Sequence, residues 1–215
     1  MIFSFSGLDG SGKSTQIKIL AEKLEKENRP VIIKLVYAQG TYLRIGNLLK
    51  RMAPRKAEEM VANQYKNRLE WSFKKCLLRW IRQFCLMLDI AVYFFGSHLP
   101  FKNSSKILLC DRYFYDILVQ MTYVGMCSRL FFRAIKPLIP GCTISFLLLD
   151  KTTALLERKV EYDLDYYREK DKLYRGLARH FKMTPIEGKS LMDTTRVVFL
   201  AVQEALGGND FSQKR

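Results

Sequence analysis

Eight residues near the N-terminus have the types and spacing needed to hold phosphate: Gly7-Leu8-Asp9-Gly10-Ser11-Gly12-Lys13-Ser14. Glycines at the two ends of the run let the backbone curl until successive N–H groups point at phosphate oxygens. A helix that starts at the end of the loop adds the positive end of its dipole. Lys13 would reach the β- and γ-phosphates of a nucleotide, and the Ser14 hydroxyl would coordinate Mg²⁺. Nucleotide contacts are therefore expected from Gly7, Leu8, Asp9, Gly10, Ser11, Gly12, Lys13, Ser14 and Thr15, with ATP and Mg²⁺ as the cofactors. A second carboxylate is expected beside the metal, at the end of a neighbouring strand. Asp111 follows the apolar run Ile107-Leu-Leu-Cys110 and fits that place; its plainer reading is a turn or cap aspartate. Arg112 comes next and would stabilise charge on a phosphoryl group in transfer, or else sit in a surface ion pair. Lys13, Asp111 and Arg112 are the catalytic candidates, and Ser14 and Asp111 the metal ligands.

These residues need a scaffold, and the hydrophobic pattern supplies one. Residues 2–6 read as a short strand that the glycine-rich loop ends. Ile17, Leu20, Ala21 and Leu24 have the spacing of an amphipathic helix over 13–27. Residues 31–36 form a β-branched second strand, and helical patterns dominate 42–98. Residues 106–110 and 143–149 are further apolar strands ending at Asp111 and Asp150. Residues 183–186 are a fifth candidate, which Pro185 would place at a sheet edge. The last helix is expected over 194–206, stopping at Gly207-Gly208, with 209–215 a loose tail. Apolar strands alternating with helices imply an α/β fold, a parallel sheet covered on both faces. Ligands then bind beyond the carboxyl ends of the strands, where Gly7, Asp111 and Asp150 all fall.

Composition narrows the classes. The 215 residues suffice for one α/β domain, and 48% hydrophobic with 27% charged residues is ordinary globular usage. No signal peptide is read at the start. The apolar stretch 84–101 is interrupted by Asp89, Gly96 and Pro100, and is expected to be a buried core helix in preference to a membrane span. Five scattered cysteines without a C-x-x-C pair suit reduced thiols in a cytoplasm. His98 and His180 have no ligand partners at metal-site spacing. The net charge of +15 is concentrated: residues 44–82 carry eleven basic and three acidic residues. Such a field attracts nucleotides, and would also suit nucleic acid or an anionic membrane. Within 64–101, Arg68, Lys75, Arg79 and Arg82 fall near one helical face, in a stretch that carries Trp71, Phe73, Trp80, Phe84, Tyr93, Phe94 and Phe95. The plain reading is a core helix with a solvated basic face; the sharper one puts that face in an acceptor site.

With the P-loop and Asp111-Arg112-Tyr113 in place, the chain resembles the thymidylate kinase family over nearly its whole length. Leu149-Asp150 looks like the family's L-D before the lid, and Leu156-Glu157-Arg158 like the start of the lid. Glu161, Tyr166-Tyr167 and Tyr174-Arg-Gly-Leu-Ala178 look like the helix after it. The resemblance implies a three-layer P-loop kinase fold over 1–208, a five-stranded parallel sheet with helices on both faces, and a short lid at about 157–168. It implies transfer from ATP to a nucleoside monophosphate, dTMP foremost, in nucleotide biosynthesis. By the same resemblance Asp9 would lie at the acceptor sugar, Arg112 at the acceptor phosphate and Arg158 near the adenine, the last a further catalytic candidate. A homodimer through the apolar helix at 80–95 would be consistent with the family.

Two departures touch the acceptor side. The segment Val36-Tyr-Ala-Gln-Gly-Thr41 lacks the arginine that the family places after strand two, and Leu88-Asp89-Ile90 lacks the arginine of its A-D-R. Arg44, Arg79 or Arg82 would have to substitute. In the lid, Arg158, Lys159 and Arg168 are the available cations. The missing arginines motivate a second reading, a kinase of the same fold acting on a nucleoside, sugar or other small alcohol. A third, from the basic 44–82 region, is an ATP-binding protein associated with nucleic acid. A small phosphoryl acceptor, with a nucleoside monophosphate favoured, is the expected partner ahead of nucleic acid or a membrane surface.

Overall fold

A run such as Ile107-Leu-Leu-Cys110 is apolar at every position, so the strand it forms has to be covered on both sides. The computed structural model describes residues 1–36, 73–102, 104–149, 164–187 and 190–210, and shows that arrangement. Five strands, β1 (Ile2–Gly7), β2 (Val31–Lys34), β3 (Ile107–Asp111), β4 (Ile144–Leu149) and β5 (Thr184–Glu187), form one sheet. All neighbours pair in parallel, in the order β2-β3-β1-β4-β5. The described α-helices are α1 (Lys13–Lys26), α2 (Phe73–Tyr93), α3 (Leu99–Lys102), α4 (Phe114–Tyr123), α5 (Arg129–Ile135), α6 (Leu164–Phe181) and α7 (Leu191–Asp210), with a π-helical turn at Phe94–His98 and a 3-10 turn at Lys136–Leu138. The expected α/β class and five-stranded parallel sheet are both present, and β5 with Pro185 is an edge strand.

Alternation along the strands divides the core into two layers. Phe3, Phe5, Leu109, Phe146 and Leu148 face Ile17, Leu20 and Leu24 of α1 and Val198 and Val202 of α7. Leu108, Cys110, Leu147 and Leu149 face Leu86 and Ile90 of α2, Leu118 of α4 and Tyr167 and Leu177 of α6. Each of these side chains contributes about 1.5–3 kcal/mol by leaving water. The register sets Phe5 beside Asp111 and Gly7 beside Leu148, so the loop after β1 and the end of β3 emerge at the same edge of the sheet.

Two expectations need correction. α7 does not stop at Gly207-Gly208 but continues to Asp210, which takes 209–210 out of the expected tail. A glycine ends a helix by adopting left-handed backbone, and neither does so here. Inside a helix a glycine costs only about 1 kcal/mol relative to alanine. The second correction concerns α2. It was expected to be a buried core helix with a basic face in water. Instead it packs Leu86, Ile90 and Tyr93 inward, with Arg82 and Gln83 buried beside them, and turns Trp80 (63% exposed), Phe84 (62%), Met87 and Val92 outward. A helix apolar nearly all round cannot bury more than the face that meets the sheet. The segment Cys76–Lys102 is long and apolar enough to cross a membrane, and 28% of its apolar window is buried. The expected lid residues 157–163, Asp150, and the basic residues from Arg44 to Arg68 lie outside the described residues.

Candidate functional site

The loop between β1 and α1 is shaped by close approach and by backbone hand. Gly7 has φ of +142°, and a Cβ there would run into the carbonyl oxygen of Leu148 on β4, so only glycine fits. Gly12 caps α1 with left-handed backbone, φ +82°. No side chain caps that helix and its first turn holds no acidic residue, so its leading N–H groups and dipole face the loop without competition. Leu8 puts its side chain into the core and offers the loop only its backbone.

Lys13 lies across this loop. It is 5% exposed, and its Nζ donates to the carbonyls of Gly7 (3.0 Å) and Leu8 (2.5 Å) and to Ser11 Oγ (3.3 Å). Burial pushes its pKa down to about 8, opposed by the Asp116 carboxylate and reinforced by Arg112. The ammonium is thus held where charge is costly, at the focus of the loop. Ser14 stands at the head of α1 and donates from Oγ to Asp111 Oδ2 at 2.7 Å. The two predicted metal ligands are therefore side by side. Two hard oxygen donors beside the glycine-rich loop fit Mg²⁺, which takes one or two protein oxygens and completes its shell with other oxygen ligands. No cluster of three or more His, Cys, Asp or Glu among the described residues cages a metal without such help.

Arg112 follows Asp111 with φ of +60°, a left-handed conformation that costs a non-glycine residue about 1–2 kcal/mol. That turn aims its guanidinium at Asp9, with which it forms an ion pair. Burial alone would raise the Asp9 pKa, but Arg112 and then Lys13 outweigh it and hold the carboxyl below its usual value. Arg112 itself is held above its ordinary value: burial works against its charge, and Asp9 and Asp116 more than compensate. The pair rests at the mouth of the loop, about a quarter exposed on each side (27% and 28%).

One organising residue was not singled out from the sequence. Asp116, 2% exposed, accepts from Ser6 Oγ (2.6 Å), Gly7 N (3.4 Å), Tyr113 N (2.9 Å) and Tyr174 OH (2.8 Å). It ties the start of the P-loop, the turn after β3 and helix α6 to one carboxylate. It lies three residues past Tyr113 at the head of α4 and accepts from the Tyr113 N–H as the acidic residue of a capping box does, but with tyrosine where that box has serine or threonine the sequence carries no clear signal of it. Burial and the Asp116 charge hold the Tyr174 hydroxyl firmly protonated, as a donor to that carboxylate must be.

Of the sequence-predicted residues, the structure thus brings together Gly7 to Ser14, Asp111 and Arg112, with Thr15 exposed on the first turn of α1. Arg168 does not join them: it is exposed and lies 3.7 Å from Asp165. Arg82 is buried with Nη1 3.7 Å from Met126 Sδ, and Arg79 is half-buried on the same helix. Arg158, Lys159 and Arg44 lie outside the described residues.

No protein-family model matches the chain. A probable thymidylate kinase of Pyrococcus horikoshii is 33% identical over 120 residues, 56% of this chain and 51% of that protein. A probable thymidylate kinase of Thermococcus kodakarensis is 26% identical over 223 aligned positions, 98% of this chain and 100% of that protein. The thymidylate kinase of Pelotomaculum thermopropionicum is 32% identical over 112 residues, 51% and 42% of the two chains. The stronger identities therefore span about half the length of the relatives concerned or less. In solved structures, the thymidylate kinase of Ehrlichia chaffeensis superposes over 96% of this chain and 98% of its own with a TM-score of 0.59 at 19% identity. The chain has that fold, and the similarity to thymidylate kinases read from its P-loop and Asp111-Arg112-Tyr113 is also found by comparison of sequence.

Proposed function

We propose that the chain is a kinase of thymidylate kinase type, which uses ATP and Mg²⁺ to phosphorylate a nucleoside monophosphate, with dTMP the first candidate. One observation carries the reading: a phosphate cradle (Lys13, the Gly7–Ser14 backbone and Ser14 beside Asp111) opens onto an arginine–carboxylate pair, Arg112 with Asp9. The cradle suits a donor triphosphate, and the pair suits a second, anionic substrate in line with it. The similarity to thymidylate kinases agrees with both.

The protein has little covalent work to do in such a reaction; it aligns the two substrates and neutralises charge. The Lys13 ammonium would exchange the loop carbonyls for β- and γ-phosphate oxygens. The N–H groups of the loop and of the first turn of α1 would bind the same oxygens. Ser14 and Asp111 would hold Mg²⁺, which would supply charge neutralisation to the nucleotide's phosphates. Arg112, positioned by its strained turn and by Asp9, would hold the acceptor as the phosphoryl group leaves ATP. The cytoplasm would provide both nucleotides and the reducing conditions that suit five free cysteines.

The test is ADP release from ATP with dTMP, dUMP, UMP, CMP, AMP and GMP as acceptors, with and without Mg²⁺. Turnover on dTMP or another member of the panel, lost when Mg²⁺ is chelated, is the expected result. Background rates on all six remove the reading.

A further inference from the structure

Tyr166, Lys170 and Tyr174 follow one another at four-residue spacing along α6, and all three are buried. Tyr174 fixes where that face points, because its hydroxyl donates to Asp116 at 2.8 Å and Asp116 also accepts from the backbone of Gly7. Lys170 stands one turn earlier, about 6 Å along the helix axis. The charges that bear on its ammonium are, in order, Asp9, Arg112, Asp116 and Lys13, so it belongs to the cluster at the P-loop mouth.

Lys170 is short of partners there. It is 9% exposed, and its Nζ donates to Tyr166 OH at 2.6 Å. It also lies 4.6 Å from the centre of the Tyr166 ring and 5.8 Å from that of Tyr123. Among the described residues no carboxylate is within ion-pair distance of it. Asp9 is engaged by Arg112, and Asp116 is engaged by four donors. An ammonium has three protons to give, and a buried one without a counter-ion is costly. Burial pushes its pKa down to about 8, which leaves it mostly protonated at neutral pH.

We propose that Lys170, together with Arg112, binds the phosphate of the phosphoryl acceptor. Lys13, Arg112 and Lys170 bring three cations to the loop mouth against the carboxylates of Asp9 and Asp116, an imbalance that a phosphate monoester, itself an anion, would offset. The donor's phosphates would have Lys13 and the N–H groups at the head of α1, in the opposite layer. The assignment rests on the kinase reading above and names the group that would hold its second substrate.

The experiment compares wild type with Lys170→Met and Lys170→Arg in the ADP-release assay, with melting temperatures alongside. Lys170→Met should raise KM for the acceptor monophosphate about 10- to 100-fold, the range for a charge-assisted contact. KM for ATP should stay within about twofold and the melting temperature should not fall, because an unpaired buried charge has been removed. Lys170→Arg should recover most of the acceptor affinity. An unchanged acceptor KM in the folded Lys170→Met protein overturns the assignment. So does a parallel rise in both KM values with a lower melting temperature, the mark of a structural lysine. If wild type phosphorylates none of the monophosphates, the kinase reading fails separately. Lys170 is then judged by the thermal shift that inorganic phosphate produces at constant ionic strength. Stabilisation of wild type but not of Lys170→Met supports a phosphate site, and equal responses dismiss it.

Discussion

The two sides of the P-loop mouth are built on opposite plans. On the donor side every group is tied to backbone or to a partner: Lys13 to three loop oxygens, Ser14 to Asp111, and Asp116 to four donors from three segments. On the side proposed to take the acceptor, the cations have fewer carboxylate partners among the described residues. Arg112 sits in a strained turn and pairs with Asp9, and the Lys170 ammonium donates to a tyrosine hydroxyl. Nucleotide phosphates are the same in every ATP, so their cradle can be finished in advance. An acceptor site that selects among substrates leaves its cations to be completed by the substrate. The contrast teaches that substitutions on the donor side should act on the fold or on all turnover, and those on the acceptor side on one substrate only.

The largest effect should come from Asp116→Ala, which strands four donors and removes a buried carboxylate set among Lys13, Arg112 and Lys170. The expected loss is about 3 kcal/mol of stability, or ~6–12 °C in melting temperature for a chain of this size. A calorimetric scan that shows no shift would mean the donor side is not tied together as described. Lys13→Ala should leave the melting temperature near wild type and slow phosphoryl transfer at least ~100-fold, about 2.7 kcal/mol, because the glycine cradle survives but the point charge does not. Arg112→Ala should separate the two sides most cleanly: acceptor KM rises ~10- to 100-fold while ATP affinity by titration calorimetry holds. If both affinities fall together, the division into two sides is wrong. Smallest is a pH effect on nucleotide affinity. The form of Lys13 that binds phosphate is protonated, and its pKa without nucleotide is about 8. Affinity should be level below pH 8 and fall by up to ~10-fold per unit above it, with proton uptake on binding measurable in buffers of different ionisation enthalpy. An affinity that rises above pH 8 would contradict the assigned direction.

The donor side was legible because its chemistry is local. Gly7 to Ser14 are contiguous, and the strand before and helix after them are set by short apolar patterns, so the loop, its helix and the partnership of Ser14 with Asp111 were all expected. The sheet was legible for a related reason, since strands apolar on both faces leave few alternatives to a covered parallel sheet. The carboxylate that ties the loop together and the lysine of the proposed acceptor side depend on residues far apart in the chain. Asp116 looks like an ordinary helix-start aspartate until Tyr174, 58 residues on, is seen to donate to it. Lys170 sits in a helix rich in charge, and only the packing of α6 on α4 shows that it faces inward. α2 was misread because an apolar, aromatic sequence says how much surface wants burial and not how much the neighbouring layer can cover. Likewise Gly207-Gly208 looked like a stop, but a glycine pair permits an ending without imposing one.

The central claim is that the P-loop passes the γ-phosphoryl group of ATP to a second substrate. It is tested most directly by following label from γ-³²P-ATP in the presence of Mg²⁺ and dTMP, with Lys13→Ala as control. The account predicts label in the terminal phosphate of dTDP with wild type and at least ~100-fold less with the variant. Label that emerges only as inorganic phosphate, or an equal yield of labelled dTDP from Lys13→Ala, would contradict it.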